Sequence, residues 1–363
     1  MNKAFKFRIY PNSEQRKLIA KTFGCVRFVY NKMLEEKIAC YNETGKALKI
    51  TPAKYKAEYE FLKEIDSLAL CNGQLNLETA YKNFFRDKSI GFPKYKSKKN
   101  DRKSYTTNCV NNNIRIESKH IILPKLGAVK LKQHRAVPDG YKLKSATVSQ
   151  NASGKYYVSI LYEYEVSVQP KPIKTVIGLD YAMSEMYITD CGEHADYPRY
   201  YRRALEKLKR MQRALSKMTR YSKNYYKQKR KIAKLHERIA NQRRDFQHKQ
   251  SRQIANAYDC VAIEDLNMKA MQRALNFAKS VSDNAWGQFV GFLQYKLAEQ
   301  GKTLVKVDKW FPSSKTCSVC EAKKDEFSLS ERVYVCECGN VMNRDINAAI
   351  NIKYEAMRML GIA

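Results

Sequence analysis

Three acidic residues stand where this chain could do metal chemistry. Asp180 closes the apolar run Val176-Ile177-Gly178-Leu179, Glu264 closes Val261-Ala262-Ile263, and Asp345 precedes Ile346-Asn347-Ala348-Ala349, which reads as a helix start. A carboxylate at the end of a buried strand costs desolvation unless something compensates it. A divalent cation compensates well, and oxygen ligands suit Mg²⁺. Two such ions about 4 Å apart, bridged by carboxylates, activate water and stabilise the leaving oxygen of a phosphodiester. Any one of these acids alone is more often a helix cap or a surface charge. The joint pattern, strand then strand then helix, favours a two-metal phosphodiesterase. Asp190, Asp265 and Asp308 are weaker candidates.

A second constellation is made of cysteines. Cys317-Ser318-Val319-Cys320 and Cys336-Glu337-Cys338-Gly339 form two pairs with 15 residues between them. Four thiolates with knuckle spacing point to one Zn²⁺, and a full set of sulfurs leaves no open position for water, so the role is structural. A redox pair is the competing reading. The other six cysteines, Cys25, Cys40, Cys71, Cys109, Cys191 and Cys260, are scattered and read as small buried hydrophobes.

These sites sit in a chain of 363 residues with 68 Lys+Arg against 36 Asp+Glu, a formal net charge of +32. So one-sided a charge repels itself unless a polyanion neutralises it, and Lys and Arg bind phosphates by releasing counterions. The 25 tyrosines, many beside a cation, suit stacking on unpaired bases. A ribosomal or chromatin protein can be as basic, so charge alone does not make an enzyme. The candidate contacts are Lys94, Tyr95, Lys96, Lys98 and Lys99 in the stretch GFPKYKSKKNDRK, and Arg202, Arg203, Lys209, Arg210 and Arg213 further on. Nothing points to a membrane or a small-molecule substrate. No run of about 18 apolar residues exists. The start, Met1-Asn2-Lys3-Ala4-Phe5-Lys6, lacks the apolar core of a signal peptide, and the chain reads as cytoplasmic.

The elements that must position these residues follow from periodicity. Residues 3–10 read as a strand ending at Pro11, and 14–40 carry apolar residues at helical spacing. Helical patterning resumes around 52–87, and 91–103 reads as an exposed basic loop. From 104 to 168 short strands separated by Asn, Gly and Pro suggest a small barrel, which the first strand joins. After Pro170 and Pro172, two strands surround a turn. Residues 200–257 read as a basic helical hairpin broken near 219–224, with 18 Lys+Arg against 3 acids over 200–250. A strand at 260–265, a helix around 284–300, a strand at 303–308, the cysteine segment and a final helix from about 346 complete the chain.

In that order these residues resemble the TnpB family of bacterial insertion sequences, which is related to the compact type V CRISPR effectors. The resemblance spans nearly the whole chain, through FKFRIYPN, CVRFVYNKML, FPKYKSKK, LPKLGAVKLKQHR, GLD, IEDLN, CSVC and, most specifically, the C-x-CG and NRDINAAINI segments. It implies a multidomain α+β and α/β architecture. Residues 1–12 and 103–172 would form a wedge β-barrel, and 13–102 an inserted helical recognition domain. Residues 173–363 would form an RNase H-like (RuvC) nuclease core, with the basic helices 200–257 and a zinc segment at 313–340. It further implies a guide RNA from the transposon end, double-stranded target DNA, two Mg²⁺ at Asp180, Glu264 and Asp345, and one Zn²⁺. The chain departs from the commoner pattern at Tyr181-Ala182-Met183 and at Met342-Asn343, and keeps all three acids.

Three other readings compete. A transposase or integrase would join DNA strands without RNA. A nuclease-inactive guided repressor would be expected to lack a metal acid. A plain RNA-binding protein would need no acids at all.

Overall fold

Phe5, Phe7 and Ile9 alternate with Lys6, Arg8 and Tyr10, and that period of two is what a half-buried strand requires. They form β1 (Asn2–Tyr10) with the apolar set buried. Asn12 then starts α1 (Ser13–Thr44) through a capping box with Gln15, and Gly45, at φ 68°, ends it. This computed structural model describes residues 1–99, 103–165, 167–274, 278–325 and 331–362. They form two units, Met1–Val166 and Ser167–Ala363.

In the first unit α1 is followed by α2 (Pro52–Glu58) and α3 (Ser67–Arg86). Ile19, Val29, Met33 and Leu34 of α1 and Leu70 and Leu77 of α3 are buried in a core shared with the sheet. The strands are β2 (Lys103–Asn108), β3 (Arg115–Glu117), β4 (His120–Leu123), β5 (Gly127–Lys132), β6 (Lys142–Gln150) and β7 (Tyr156–Glu163). They pair in the order β2-β6-β7-β1-β5-β4-β3. The first strand therefore sits in the middle, antiparallel to both β5 and β7. The expected barrel is corrected to a half-barrel, since among the described residues β2 and β3 remain as edges. The Asn151 turn forms as expected, with Gly154 N–H bonded to Asn151 O. Residues 91–99 are irregular, and 100–102 of the expected basic loop lie outside the described residues.

The second unit opens with β8 (Val176–Asp180), β9 (Ile188–Thr189) and the helices α4 (Tyr200–Ser216) and α5 (Lys223–Ala257). The hairpin break falls at 217–222, and Gln228 Nε2 reaches back to Met211 O across it. Next come β10 (Cys260–Glu264), α6 (Met268–Ala274), α7 (Ala278–Asn284), α8 (Trp286–Ala298) and β11 (Thr303–Val307). The hairpin β12 (Val333–Val335) and β13 (Val341–Asn343) leads directly into α9 (Arg344–Met359). The sheet order is β11-β10-β8-β9, with β8, β10 and β11 parallel and β9 antiparallel. Strands β8 and β10 read as near-continuous apolar runs because their middle residues are buried, Ile177 to Leu179 and Cys260 to Ile263. No helix among the described residues is long and apolar enough to cross a membrane.

Candidate functional site

Parallel register brings two of the acids together. Leu179 lies opposite Ile263, so Asp180 and Glu264, the next residue on each strand, leave the sheet side by side at its carboxyl end. The third acid arrives on α9. Asn343 caps that helix, its side chain accepting from the Asp345 amide at 2.8 Å and the Ile346 amide at 3.4 Å. Small residues let α9 lie close on the sheet: Ala348, Ala349 and Ala356 are buried, beside the larger Ile352. Beneath them, a Cβ on Gly178 would come within 2.0 Å of Ala349 O, so β8 tolerates only glycine there.

The acids feel one another. Burial first, then the Asp345 and Glu264 carboxylates, push the Asp180 carboxyl up to about 8, with Arg344 opposing. Burial pushes Glu264 up to about 7. Asp345 is held by cations, with Arg344 Nε at 3.4 Å and Arg332 Nη1 at 3.8 Å. The three weaker candidates are engaged elsewhere. Asp190 accepts from Lys353 at 2.7 Å and from the Gly178 amide at 3.2 Å. Asp265 pairs with Lys306 at 2.8 Å, and Asp308 accepts from the Trp310 amide at 2.8 Å.

The four cysteines converge. Among the described residues they are the one group of three or more Cys, His, Asp or Glu side chains gathered as a ligand set, with all sulfurs within 4.8 Å of one another. Cys317 and Cys338 sulfurs are 3.7 Å apart, and Cys320 and Cys336 sulfurs 3.5 Å. A tetrahedron with zinc–sulfur bonds of about 2.3 Å has edges of about 3.8 Å, whereas a disulfide is about 2.05 Å. The donor set fits zinc. The short C-x-C half closes because Gly339, at φ 90°, turns the chain and its amide bonds back to Cys336 O. The Cys317 thiol is drawn down to about 6: burial raises it, but the Cys320 and Val319 amides and Asn340 Nδ2 outweigh that.

The residues around the cluster were missed by the sequence reading. Asn347 is fully buried. Its Nδ2 donates to Thr316 O at 2.7 Å and its Oδ1 accepts from the Ser318 amide at 3.0 Å, so it grips the peptides on both sides of Cys317. Asn351, one turn on, donates to Ser313 O at 2.7 Å and Thr316 O at 2.6 Å. The signal was present in NRDINAAINI, as two asparagines four apart on the apolar face of a helix. The departures from the commoner pattern also have partners: Asn343 is the helix cap, and Tyr181 Oη accepts from Asn284 Nδ2 at 3.0 Å.

The basic candidates divide. Lys94, Tyr95, Lys98 and Lys99 are exposed, as are Arg203, Lys209, Arg210 and Arg213 on α4. Lys96 lies over the Tyr30 ring, Nζ 3.9 Å from its centre, and burial lowers its pKa. Arg202 bonds Ser280 Oγ at 2.5 Å, and its amide is capped by Asp283 at 3.2 Å. Lys209 pairs with Glu206 at 2.8 Å.

Comparison with known proteins adds three kinds of likeness. Family models match residues 159–275, described as a probable transposase, residues 286–352, described as a Cas12f1-like TNB domain, and residues 1–46, described as a helix-turn-helix domain. The last stretch folds here as β1 and one long helix. A protein of Streptomyces pristinaespiralis that bears the provisional name RNA-guided DNA endonuclease is 35% identical, over 97% of this chain and 89% of its own length. InsQ of Escherichia coli (strain K12), provisionally named likewise, is 31% identical over 96% of this chain and 91% of its own. The Cas12f1 chain of a complex with guide RNA and target DNA shares the fold, with a TM-score of 0.64 over 97% of this chain and 98% of that one, at 11% identity.

Proposed function

The chain belongs to the TnpB family of transposon-associated RNA-guided DNA endonucleases, and we propose that it cuts DNA next to a short flanking motif at sites chosen by a bound guide RNA, with Asp180, Glu264 and Asp345 as its metal-binding acids. The observation that carries this assignment is the pairing of Asp180 and Glu264 at the ends of adjacent parallel strands. Both carboxyls are pushed well above their ordinary range. Buried negative charge of that kind is what a divalent cation relieves, and an all-oxygen donor set suits Mg²⁺.

In this reading the two strand acids, side by side at the sheet's carboxyl end, would hold the metal. Asp345, carried on the helix beside Arg332 and Arg344, would be the third acid to hold it. Bound Mg²⁺ supplies an activated water and a Lewis acid for the leaving oxygen. The sheet and the RNase H-like arrangement of acids form a RuvC nuclease core, with residues 1–12 and 103–172 as the wedge and 13–102 as the recognition domain. The cysteines hold one structural Zn²⁺. The exposed cations of α4 and of the 94–99 loop hold phosphates, while base pairing with the guide reads the target. Its partners in this reading are guide RNA and target DNA, and its expected compartment is the cytoplasm.

The test is reprogramming. Protein stripped of RNA is expected to cut no specific duplex. Adding guide RNA should direct Mg²⁺-dependent cutting to its complement beside a fixed motif, and a new guide should move the cut. Asp180→Ala, Glu264→Ala and Asp345→Ala should each abolish cutting and leave guided DNA binding intact. Sequence-specific cutting without RNA would replace this reading with a transposase-like one. Guided binding without cutting by the unaltered chain would leave a repressor.

A further inference from the structure

The contacts around Cys317 and Asp345 close into a ring. From Cys338 the chain runs through β13 to Asn343, whose side chain caps α9 and holds the Asp345 amide at 2.8 Å. Two residues on, Asn347 leaves the same helix and grips Thr316 O and the Ser318 amide, the two flanks of Cys317. Cys317 Sγ then lies 3.7 Å from Cys338 Sγ, and Asn340 Nδ2 bonds Cys317 Sγ at 3.3 Å. One side of the ring is covalent, one is a buried amide, and the third is the pair of sulfurs that a metal would join.

We infer that Asn347 is a positioning residue through which metal binding at the cysteines fixes Asp345. The inference rests on reading Asp345 as a metal-binding acid. An ordinary knuckle would need only its sulfurs. Here the first knuckle is also bound to the first two turns of α9 by two buried side chains, Asn347 and Asn351. A buried amide keeps both its donor and its acceptor satisfied or costs the fold, so Asn347 cannot shift without releasing Ser318 or Thr316. Partners behind the ligands commonly set metal affinity by about 10–100-fold. In this chain such a partner and a nuclease acid share one helical turn.

Hydrogen exchange on the full chain with bound guide RNA tests this. The Asp345 and Ile346 amides report the helix start directly, because Asn343 holds both. Removing zinc from the wild type with a chelator is expected to speed exchange at these two amides. Asn347→Ala should do the same with zinc present, speed zinc loss by about tenfold, and raise the half-saturating Mg²⁺ for cutting. Stripping zinc from Asn347→Ala should then add little. Unchanged exchange at Asp345 and Ile346 in zinc-stripped wild type would overturn the inference, and so would fully additive effects. If Asn347→Ala does not fold, the wild-type comparison decides alone. Exchange reads the helix start whether or not the chain cuts DNA, so its failure is separable from failure of the nuclease reading.

Discussion

Gly178 of β8 lies directly under the Ala349 carbonyl of α9, close enough that a Cβ would meet that oxygen at 2.0 Å and Lys353 Cβ at 3.0 Å. The obstacle is helix backbone and cannot swing aside. Gly178→Ala must therefore lift α9 from the sheet, and Asp345 rides on the first turn of α9. Overpacking of this kind costs about 1–3 kcal/mol, and a rigid neighbour puts it at the upper end. The variant is expected to melt lower than wild type and to lose cutting more severely than guided DNA binding. A melting temperature and cutting rate matching wild type would show that α9 is not seated as described.

That close approach explains what the sequence could and could not disclose. Asp180 and Glu264 could be placed at strand ends from their apolar runs, and it was their joint pattern with Asp345, not either acid alone, that made them candidates. Gly178 was quoted within the same run with no role, since a glycine in a strand does not say which backbone comes near. The strands of the half-barrel were mostly legible by alternation, but β2 was not singled out: KSYTTN buries only Tyr105 and Thr107 and carries little apolar signal. The hairpin β12–β13 was likewise hidden in the cysteine segment, where short strands lean on sulfur geometry more than on apolar pattern. Asn347 and Asn351 were visible as letters, but their partners, Thr316, Ser318 and Ser313, lie some thirty residues away and only the fold brings them near.

The raised acids give a pH signature. Asp180 and Glu264 titrate near 8 and 7 in the folded, metal-free chain, against ordinary values of 3.8 and 4.5. Between those limits the folded state holds protons that the unfolded chain has released. Their contribution is thus fully present below about pH 4 and is lost as pH rises through the folded values. Mg²⁺ needs the ionised carboxylates and competes with those protons. The rise in melting temperature on adding Mg²⁺ should therefore be small near pH 6 and large near about pH 9. Asp180→Asn should remove most of that rise. A Mg²⁺ shift independent of pH would contradict the placement of these acids.

Zinc content separates the two classes of cysteine. Cys317, Cys320, Cys336 and Cys338 gather their sulfurs within 4.8 Å, whereas Cys71 is exposed and Cys260 is buried in the strand core with its thiol pushed up to about 11. Elemental analysis should find about one zinc per chain. Serine at any one of the four should lower zinc content and melting temperature together, because binding energy at such a site is folding energy. Cys71→Ser should change neither. Folded, cutting-competent protein without zinc would remove the metal from the assignment.

The cations make the last prediction, because the structure separates exposed ones from those with structural partners. Arg203, Arg210 and Arg213 stand exposed along α4, while Lys96, although its side chain is also exposed, sets its ammonium over the Tyr30 ring, where local burial lowers its pKa. Each phosphate contact contributes roughly 0.7–0.9 to the slope of log affinity against log salt. Replacing Arg203, Arg210 and Arg213 together by Gln should weaken guide-RNA binding, and flatten that slope by up to about 2–3, with little change in melting temperature. Lys96→Gln should do the reverse. A cation over an aromatic ring is worth about 0.5–2 kcal/mol, so its loss should lower the melting temperature while leaving the salt slope near wild type. Binding measured over a salt series, beside thermal melts of the same proteins, distinguishes the two. A steep loss of slope in Lys96→Gln would make that lysine a phosphate contact, and an unchanged slope in the triple variant would take the RNA off α4.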